Sequence, residues 1–237
     1  MSNEVSKVKT LQNRLNSDSA KKQFAAALPS ICPPERFLRV AMTTLTKTPK
    51  LADCDENTFI QCLLDCAALG IEPDGRRAHL IPYGKSCTLI IDYKGLVELV
   101  RRSGEIKTIS ADMVCDNDEF EVNLGKITTH KIDYKKPRGN PYCYYAYAEM
   151  KDGSIQCEVM TIEEVKNIQK RSRSGNNGPW VTDFNEMAKK TVFRRLCKWL
   201  PMNPEVAQKL SEVEKVEFDF EMPNKEPETV KTDLMDD

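Results

Sequence analysis

Residues 78–104 read AHLIPYGKSCTLIIDYKGLVELVRRSG, and this stretch decides the fold. Two short apolar runs flank the turn-forming residues Tyr83 to Ser86, a pattern that predicts a β-hairpin. The following run, YKGLVELVRRS, spaces its apolar residues as a helix does and ends at Gly104. A hairpin followed directly by a helix therefore occupies the middle of the chain.

The segments on either side of this centre differ in periodicity. Upstream, apolar residues at helical spacing predict helices over 37–48 and 57–69, the second ending at Gly70. Downstream, alternation predicts strands in EIKTISADMVCDND, EFEVN, ITTHKIDYKK and YCYYAYAEMKDGSIQCEVM, and then helices at 161–172, 183–200 and 204–213. Helices, strands around one internal helix, and helices again predict an α+β fold.

Composition divides the chain into three parts. Residues 1–22 are polar with weak helical spacing, which predicts a mobile N-terminal arm or a loose helix. Residues 23–213 are expected to form a single domain, because one core of this size is the usual outcome for such a length. Residues 214–237 are acidic and contain proline, so we expect a disordered tail.

Several classes of protein are excluded at this stage. No apolar run is long enough for a membrane helix, and the N-terminal residues lack the apolar segment of a signal peptide, so we expect a cytoplasmic protein without membrane contact. The nine cysteines show no CxxC spacing, which indicates reduced thiols. Neither GxxxxGK[ST] nor GxGxxG occurs, so no nucleotide site that could drive a motor is visible.

The charge of the chain is segregated. The formal net charge is −1, but residues 205–237 hold eleven acids and four lysines and carry −7. Residues 1–204 therefore carry about +6. This separation favours a basic binding surface with an acidic tail that binds a partner or competes for that surface.

The helix predicted over 183–200, DFNEMAKKTVFRRLCKWL, has the most informative pattern. Its apolar residues share one arc, which includes Trp199, while Lys190, Arg194 and Lys198 recur every four residues on another. We call these three cations the basic row. Phosphates of a nucleic-acid strand would neutralise such a row in a salt-sensitive and sequence-independent way. The alternative is a solvated helix face with a Glu186 and Lys190 ion pair.

Further basic clusters favour the nucleic-acid interpretation. The loop SGNNGPW follows one of them and combines amides with Trp180, which could stack a base or simply cap the core. Alternation divides the tyrosines of 142–147 between two faces, so most of them are expected to pack within the sheet. The clusters comprise Lys94, Arg101, Arg102 and Lys107; Lys131, Lys135, Lys136 and Arg138; and Lys170, Arg171 and Arg173, followed by Asn176.

Two enzymatic or metal-binding alternatives stay open. Asp116 and Asp118 in a turn, with Glu149 and Lys151 on a strand, resemble the carboxylates and lysine of a divalent-metal-dependent nuclease. Cys62 and Cys66 lie one helical turn apart, but no second pair completes a zinc site. His79 and His130 are each surrounded by strand residues and are expected to be structural.

Taken in order, three long strings resemble the RecT family of phage and prophage single-strand annealing proteins. They are PERFLRVAMTTLTKTPKLADCD, LGIEPDGRRAHLIPYGKSCTLIIDYKGLVELVRRSGEIKTI and MAKKTVFRRLCKWLP, the last preceded by Trp180. The resemblance covers about 24–200, three quarters of the chain. It departs from the longer members in its short acidic tail, so a separately folded partner-binding domain is not expected.

The resemblance implies a function and a set of partners. Such proteins bind single-stranded DNA and anneal complementary strands without ATP or another cofactor, as rings or helical filaments. A curved β-sheet and helices are implied to enclose a basic DNA groove, and whether Mg²⁺ modulates binding is left open. The implied partners are an exonuclease and the single-strand-binding protein of a bacterial host. The matching positions are Tyr93, Lys94, Gly95, Arg101, Arg102, Lys107, Lys189, Lys190, Thr191, Arg194 and Lys198.

The basic clusters and the resemblance together lead to one hypothesis, a basic groove for a DNA strand. The basic row would form one wall of a groove, and Lys94, Arg101 and Lys107 the other. The groove would hold the backbone of a strand and leave its bases exposed for pairing.

Overall fold

The computed structural model of the chain describes residues 2–30, 32–172, 175, 176 and 178–219. Helices and antiparallel strands occur together, so the α+β prediction is confirmed. The helices are α1 (Ser2–Leu15), α2 (Asp18–Ala27), α3 (Pro34–Lys47), α4 (Glu56–Leu69), α5 (Tyr93–Arg101), α6 (Ile162–Arg171), α7 (Pro179–Thr182), α8 (Phe184–Cys197) and α9 (Pro204–Asp219), with a short 3-10 helix at Pro49–Asp53. The strands are β1 (Ala78–Tyr83), β2 (Ser86–Ile91), β3 (Ile106–Cys115), β4 (Glu119–Asn123), β5 (Lys126–Lys131), β6 (Pro141–Met150) and β7 (Ile155–Thr161).

Local sequence accounts for the ends of helix α4. The carboxylate of Asp55 accepts hydrogen bonds from the backbone N–H groups of Asn57 and Thr58, which caps the N-terminus. At the other end, Gly70 adopts φ +62°, the left-handed conformation in which glycine ends helices without strain. Both boundaries agree with those predicted from the sequence.

The N-terminal residues form part of the packed structure. The sequence predicts a mobile arm or a loose helix over 1–22, whereas α1 and the start of α2 pack against the body. Leu11 and Leu15 are buried in the main core, and the Nζ of Lys7 lies 2.6 Å from Oδ1 of Asp53. Val8 packs beside Leu11 and Leu15, and these three apolar residues dock the helix, whereas Val5 is 54% exposed.

The central sheet has the order β3-β6-β7 and is antiparallel throughout. Because side chains alternate along a strand, β6 presents Tyr144 and Ala146 to the helices and Cys143 and Tyr145 to the opposite side. Helix α8 packs on the first face, where the Oη of Tyr144 donates to Oδ1 of Asn185 at 2.6 Å. The β4-β5 hairpin covers the second face.

A buried polar network fixes the base of the β4-β5 hairpin, and we call it the Asp118 network. The carboxylate of Asp118 accepts hydrogen bonds from Nη2 of Arg138 at 2.7 Å and from the backbone N–H of Cys115 at 2.8 Å. His130 lies between it and Tyr145, with 3.3 Å from Nε2 to the carboxylate and 2.9 Å from Nδ1 to the tyrosine hydroxyl. The hydrogen bond from Arg138 is the main reason why the pKa of Asp118 falls to about 2.

The C-terminal helix is longer than predicted. Helix α9 runs to Asp219, six residues beyond the predicted boundary at 213, so the start of the acidic segment is helical. Leu210 and Val213 are buried where α9 packs on α4 and β2. Residues 220–237, the rest of the predicted disordered tail, lie outside the described residues.

Within the described part of the chain, no helix is both long and apolar enough to cross a membrane.

Candidate nucleic-acid interface

A cleft of about 220 Å³ separates helices α5 and α8 above strand β3, and we call it cleft A. Helix α5 contributes Tyr93 and Val97, strand β3 contributes 109–111, and helix α8 contributes the charged side chains. The α8 residues are Glu186, Lys189, Lys190 and Phe193. Two segments that lie about ninety residues apart in the sequence thus form opposite walls of one depression.

A second cleft of about 190 Å³, cleft B, lies on the other flank of α8. All three residues of the basic row line it, together with Thr191 and Arg195 of the same helix. The remaining lining residues are Ile168 and Ser172 beside α6, Trp180 of α7, Met187 of α8 and Glu214 of α9. Lys190 lines both clefts, so it stands on the ridge between them.

Most cations of α8 already have carboxylate partners. The Nζ of Lys189 lies 2.5 Å from Oε1 of Glu186, one turn earlier on the helix. The Nζ of Lys190 lies 4.0 Å from Oδ2 of Asp92, a partner that the sequence did not predict. A DNA phosphate that binds one of these lysines would therefore have to displace the carboxylate that is bound there.

Asp92 joins the two walls of cleft A. As the N-cap of α5, its carboxylate accepts a hydrogen bond from the backbone N–H of Lys94. Burial by itself raises the pKa of Asp92. A hydrogen bond from His79 and the positive charge of Lys190 lower the pKa by more than burial raises it, so the pKa lies below its usual value. The carboxylate is consequently ionised at neutral pH and holds Lys190 near α5.

The start of α5 requires glycine at position 95. A Cβ there would lie 2.4 Å from the carbonyl oxygen of Arg77, far inside contact distance. The helix therefore approaches the β1 end closely and places Tyr93 at the edge of cleft A, where its ring is half exposed. Lys94 is exposed beside it, with Nζ 5.8 Å from the centre of the Tyr93 ring.

Arg102 has a structural role that the sequence did not predict. Its guanidinium donates to the carbonyl oxygens of Leu69 and Gly70, both at 2.7 Å, and to the carboxylate of Glu98. These bonds join the end of α4 to the end of α5. Arg102 therefore joins two helices, but it is exposed as Arg101 is, and its predicted contact with DNA stays a prediction.

Several predicted cations line neither cleft, and two of these, Lys131 and Lys107, pair with carboxylates. Lys131 stands on the β4-β5 hairpin, on the side of the sheet away from α8, and its Nζ lies 2.9 Å from Oε1 of Glu119. Lys107 is at the beginning of β3, with Nζ 2.7 Å from Oε1 of Glu149.

Helices α5 and α8 meet at cleft A, but Lys190 is the only one of the six predicted wall cations that lines it. Arg194 and Lys198 line cleft B, and Lys94, Arg101 and Lys107 line neither of these two clefts, so the predicted pairing of the two walls in one groove is not seen.

The loop before α7 is only partly described. Lys170 and Arg171 are exposed at the end of α6, and Asn176 is exposed in the loop, while Arg173 lies outside the described residues. Trp180 is only 4% exposed, and its Nε1 donates to Oγ of Ser172 at 3.1 Å. Of its two predicted roles, capping the core is the one that this burial supports.

Trp199 is exposed, contrary to its predicted place on the apolar arc of α8. Its side chain is 69% exposed because α8 ends at Cys197 and the chain turns away. Helical periodicity could not have shown this, since it assumes that the helix continues through 200.

Asp92 was also missed, although its position directly before a helix is a recognisable N-cap signal.

The geometry does not support the nuclease alternative. Asp118 is held by Arg138, and Glu149 pairs with Lys107 near the far end of the sheet. Since Cys115 pairs with Pro141, eight residues along β6 from Glu149, the two carboxylates are separated by about 26 Å at the usual rise per strand residue. Among the described residues, no group of three or more histidine, cysteine or acidic side chains could hold a metal ion.

The nine cysteines are free thiols. This agrees with the absence of paired spacing in the sequence.

Comparison with known proteins identifies the family. The chain belongs to the RecT family, which matches residues 35–230, and is therefore an annealing protein of recombination. It is 40% identical over 214 residues to Protein RecT of Escherichia coli (strain K12), covering 85% of this chain and 79% of that protein. It is also 25% identical over 195 residues to the uncharacterized protein YqaK of Bacillus subtilis (strain 168), covering 80% of this chain and 67% of that one.

Proposed function

We propose that the protein binds single-stranded DNA along clefts A and B and anneals it to a complementary strand without ATP. The observation that carries this proposal is the meeting of α5 and α8 in cleft A, where Tyr93 faces Lys189 and Lys190 across β3. An aromatic ring and two cations facing one cleft match the two needs of sequence-independent strand binding, which are stacking and phosphate neutralisation. Family membership supports the same function.

The chemistry of annealing explains why these groups suffice. Base pairing supplies the sequence information, so the protein needs only to hold the backbone and to reduce the repulsion between two strands. Once the phosphate charges are neutralised, base pairing lowers the free energy and needs no further energy source. The sequence contains no phosphate-binding loop, in agreement with a reaction that uses no nucleotide.

The proposal extends to assembly and partners. Several protomers would have to act side by side, because clefts of about 220 and 190 Å³ can contact only a short piece of a strand. We therefore propose self-association into rings or filaments, a partner exonuclease that exposes the strand, and contact with a host single-strand-binding protein. We also propose that residues 23–213 form the main part of the annealing domain, on which α1 and the end of α9 pack.

Two end-labelled complementary oligonucleotides, mixed with the purified full-length protein without nucleotide, test this function. We expect the pairing rate to exceed that of the oligonucleotides alone. A pair of non-complementary oligonucleotides serves as the control. Unchanged pairing would contradict the proposal, and shortened products would indicate cleavage instead. The reaction is run with and without Mg²⁺, and Glu149→Gln is included so that any cleavage can be traced to that carboxylate.

A further inference from the structure

Glu214 on helix α9 reaches into the cleft that the basic row lines. Its Oε1 lies 3.5 Å from Nε of Arg194, the middle residue of that row. Both side chains are largely withdrawn from solvent, with 12% of Arg194 and 15% of Glu214 exposed. The guanidinium also donates to the carbonyl oxygen of Ile91 at 3.3 Å. The central cation of the row is thus covered in this structure by a carboxylate from another helix.

Helix α9 is anchored independently of this contact. Leu210 and Val213 are buried, and Nζ of Lys209 lies 2.7 Å from Oδ1 of Asp65 on α4. Glu214 directly follows the buried Val213, so its backbone is held beside α8. Only the Glu214 side chain, and not the helix, would have to move in order to uncover Arg194.

A carboxylate and a phosphate compete for the same donors. Guanidinium groups bind both anions through similar charge-assisted hydrogen bonds. A backbone phosphate that enters cleft B must therefore replace the Glu214 carboxylate at Arg194. The released carboxylate then takes up a cation from solution, which offsets the counterion that the phosphate gives up.

We propose that Glu214 is a built-in competitor of the DNA backbone, an autoinhibitory contact that lowers the affinity of cleft B for phosphate. This inference rests on the proposed function, because it concerns the same cleft. It assigns α9 a role in setting how tightly a strand is held. Moderate affinity allows an annealed product to leave, whereas an uncovered basic row would retain it.

The test compares Glu214→Gln with Glu205→Gln. Both variants remove one negative charge from α9, but Glu205 is exposed in the first turn of the helix and does not line cleft B. Binding of a fluorescent oligo-dT is measured by anisotropy over a range of salt concentrations. Thermal unfolding shows that each variant is folded, and Glu214→Asp, which withdraws the carboxylate by one methylene, replaces Glu214→Gln if that variant unfolds.

We expect Glu214→Gln to bind the oligonucleotide about two- to fivefold more tightly than the wild type, since a partly buried ion pair no longer has to be broken. Its slope of log affinity against log salt should be steeper by up to about 0.7. Glu205→Gln should bind as the wild type does. In an Arg194→Gln background, the effect of Glu214→Gln should disappear.

Three results would overturn the inference. Unchanged or weaker binding by Glu214→Gln would show that Glu214 supports Arg194 instead of competing for it. An equal gain with Glu205→Gln would indicate a general charge effect of α9. If the wild-type protein bound no single-stranded DNA, the proposed function would fail and this inference with it, a result distinct from the first two.

Discussion

The replacement Asp118→Asn tests whether the Asp118 network holds the β4-β5 hairpin on the sheet. The side chain is 1% exposed, and its carboxylate accepts hydrogen bonds from Arg138 and from the backbone of Cys115. Its pKa falls from 3.8 to about 2, and each pKa unit corresponds to about 1.4 kcal/mol. We therefore expect Asp118→Asn to lower the free energy of unfolding at pH 7 by about 2 kcal/mol or somewhat more.

The pH dependence of this difference follows from the lowered pKa. Above about pH 5 the carboxylate is ionised in both the folded and the unfolded state, so its stabilisation is fully present. As the pH falls towards about 2 the carboxylate becomes protonated, and the advantage of the wild type over Asp118→Asn should shrink and vanish. Urea unfolding between pH 2 and pH 7 measures both quantities, with Asp133→Asn as an exposed control on the neighbouring loop. A difference below about 0.5 kcal/mol at pH 7, or one that does not change with pH, would refute the reasoning.

Three further predictions concern stability. Leu124 is 96% exposed and has φ +47° in the two-residue turn of the β4-β5 hairpin, a conformation that suits asparagine better than leucine. Leu124→Asn should therefore raise the free energy of unfolding in urea by about 0.5 to 1 kcal/mol, and a lower value than that of the wild type would contradict this. Trp180→Ala should lower the free energy of unfolding by about 3 to 5 kcal/mol, whereas Trp199→Ala should change it by less than about 0.5 kcal/mol. Similar losses for the two variants in thermal unfolding would show that the burial of the two tryptophans is misassigned. Arg102→Lys should lower the free energy of unfolding by about 1 to 2 kcal/mol and leave the affinity for oligo-dT unchanged, because the Arg102 guanidinium donates to the carbonyl oxygens of Leu69 and Gly70. A loss of affinity without a loss of stability would indicate that Arg102 contacts DNA.

Local periodicity predicted much of the fold. Helices α3 and α4, the β1-β2 hairpin and helix α5 occur where the sequence placed them, since each has both a regular apolar pattern and a recognisable stop such as Gly70. The packing of helix α1 on the body was not predicted, because it depends on contacts of Leu11 and Leu15 with a surface that later residues form. Such tertiary contacts leave little trace in the helix's own sequence.

The candidate site was predictable in part. The basic row was visible because helical spacing alone aligns Lys190, Arg194 and Lys198. The partners Asp92 and Glu214 were not visible, because they belong to other elements, and helical spacing relates only residues of the same helix. For the same reason, cation type alone could not separate Lys131, which lies on the opposite side of the sheet, from the cations of the clefts.

The affinity for single-stranded DNA of a Lys189→Ala/Lys190→Ala variant, compared with that of Lys131→Ala, tests the central claim most directly. Both lysines of the first variant line cleft A, whereas Lys131 stands on the hairpin across the sheet. We predict that the double variant binds oligo-dT at least about tenfold more weakly, because charge-assisted contacts to phosphate are lost, and that Lys131→Ala changes affinity less than about twofold. Equal losses in the two variants, or a loss in Lys131→Ala alone, would contradict the placement of the strand between α5 and α8.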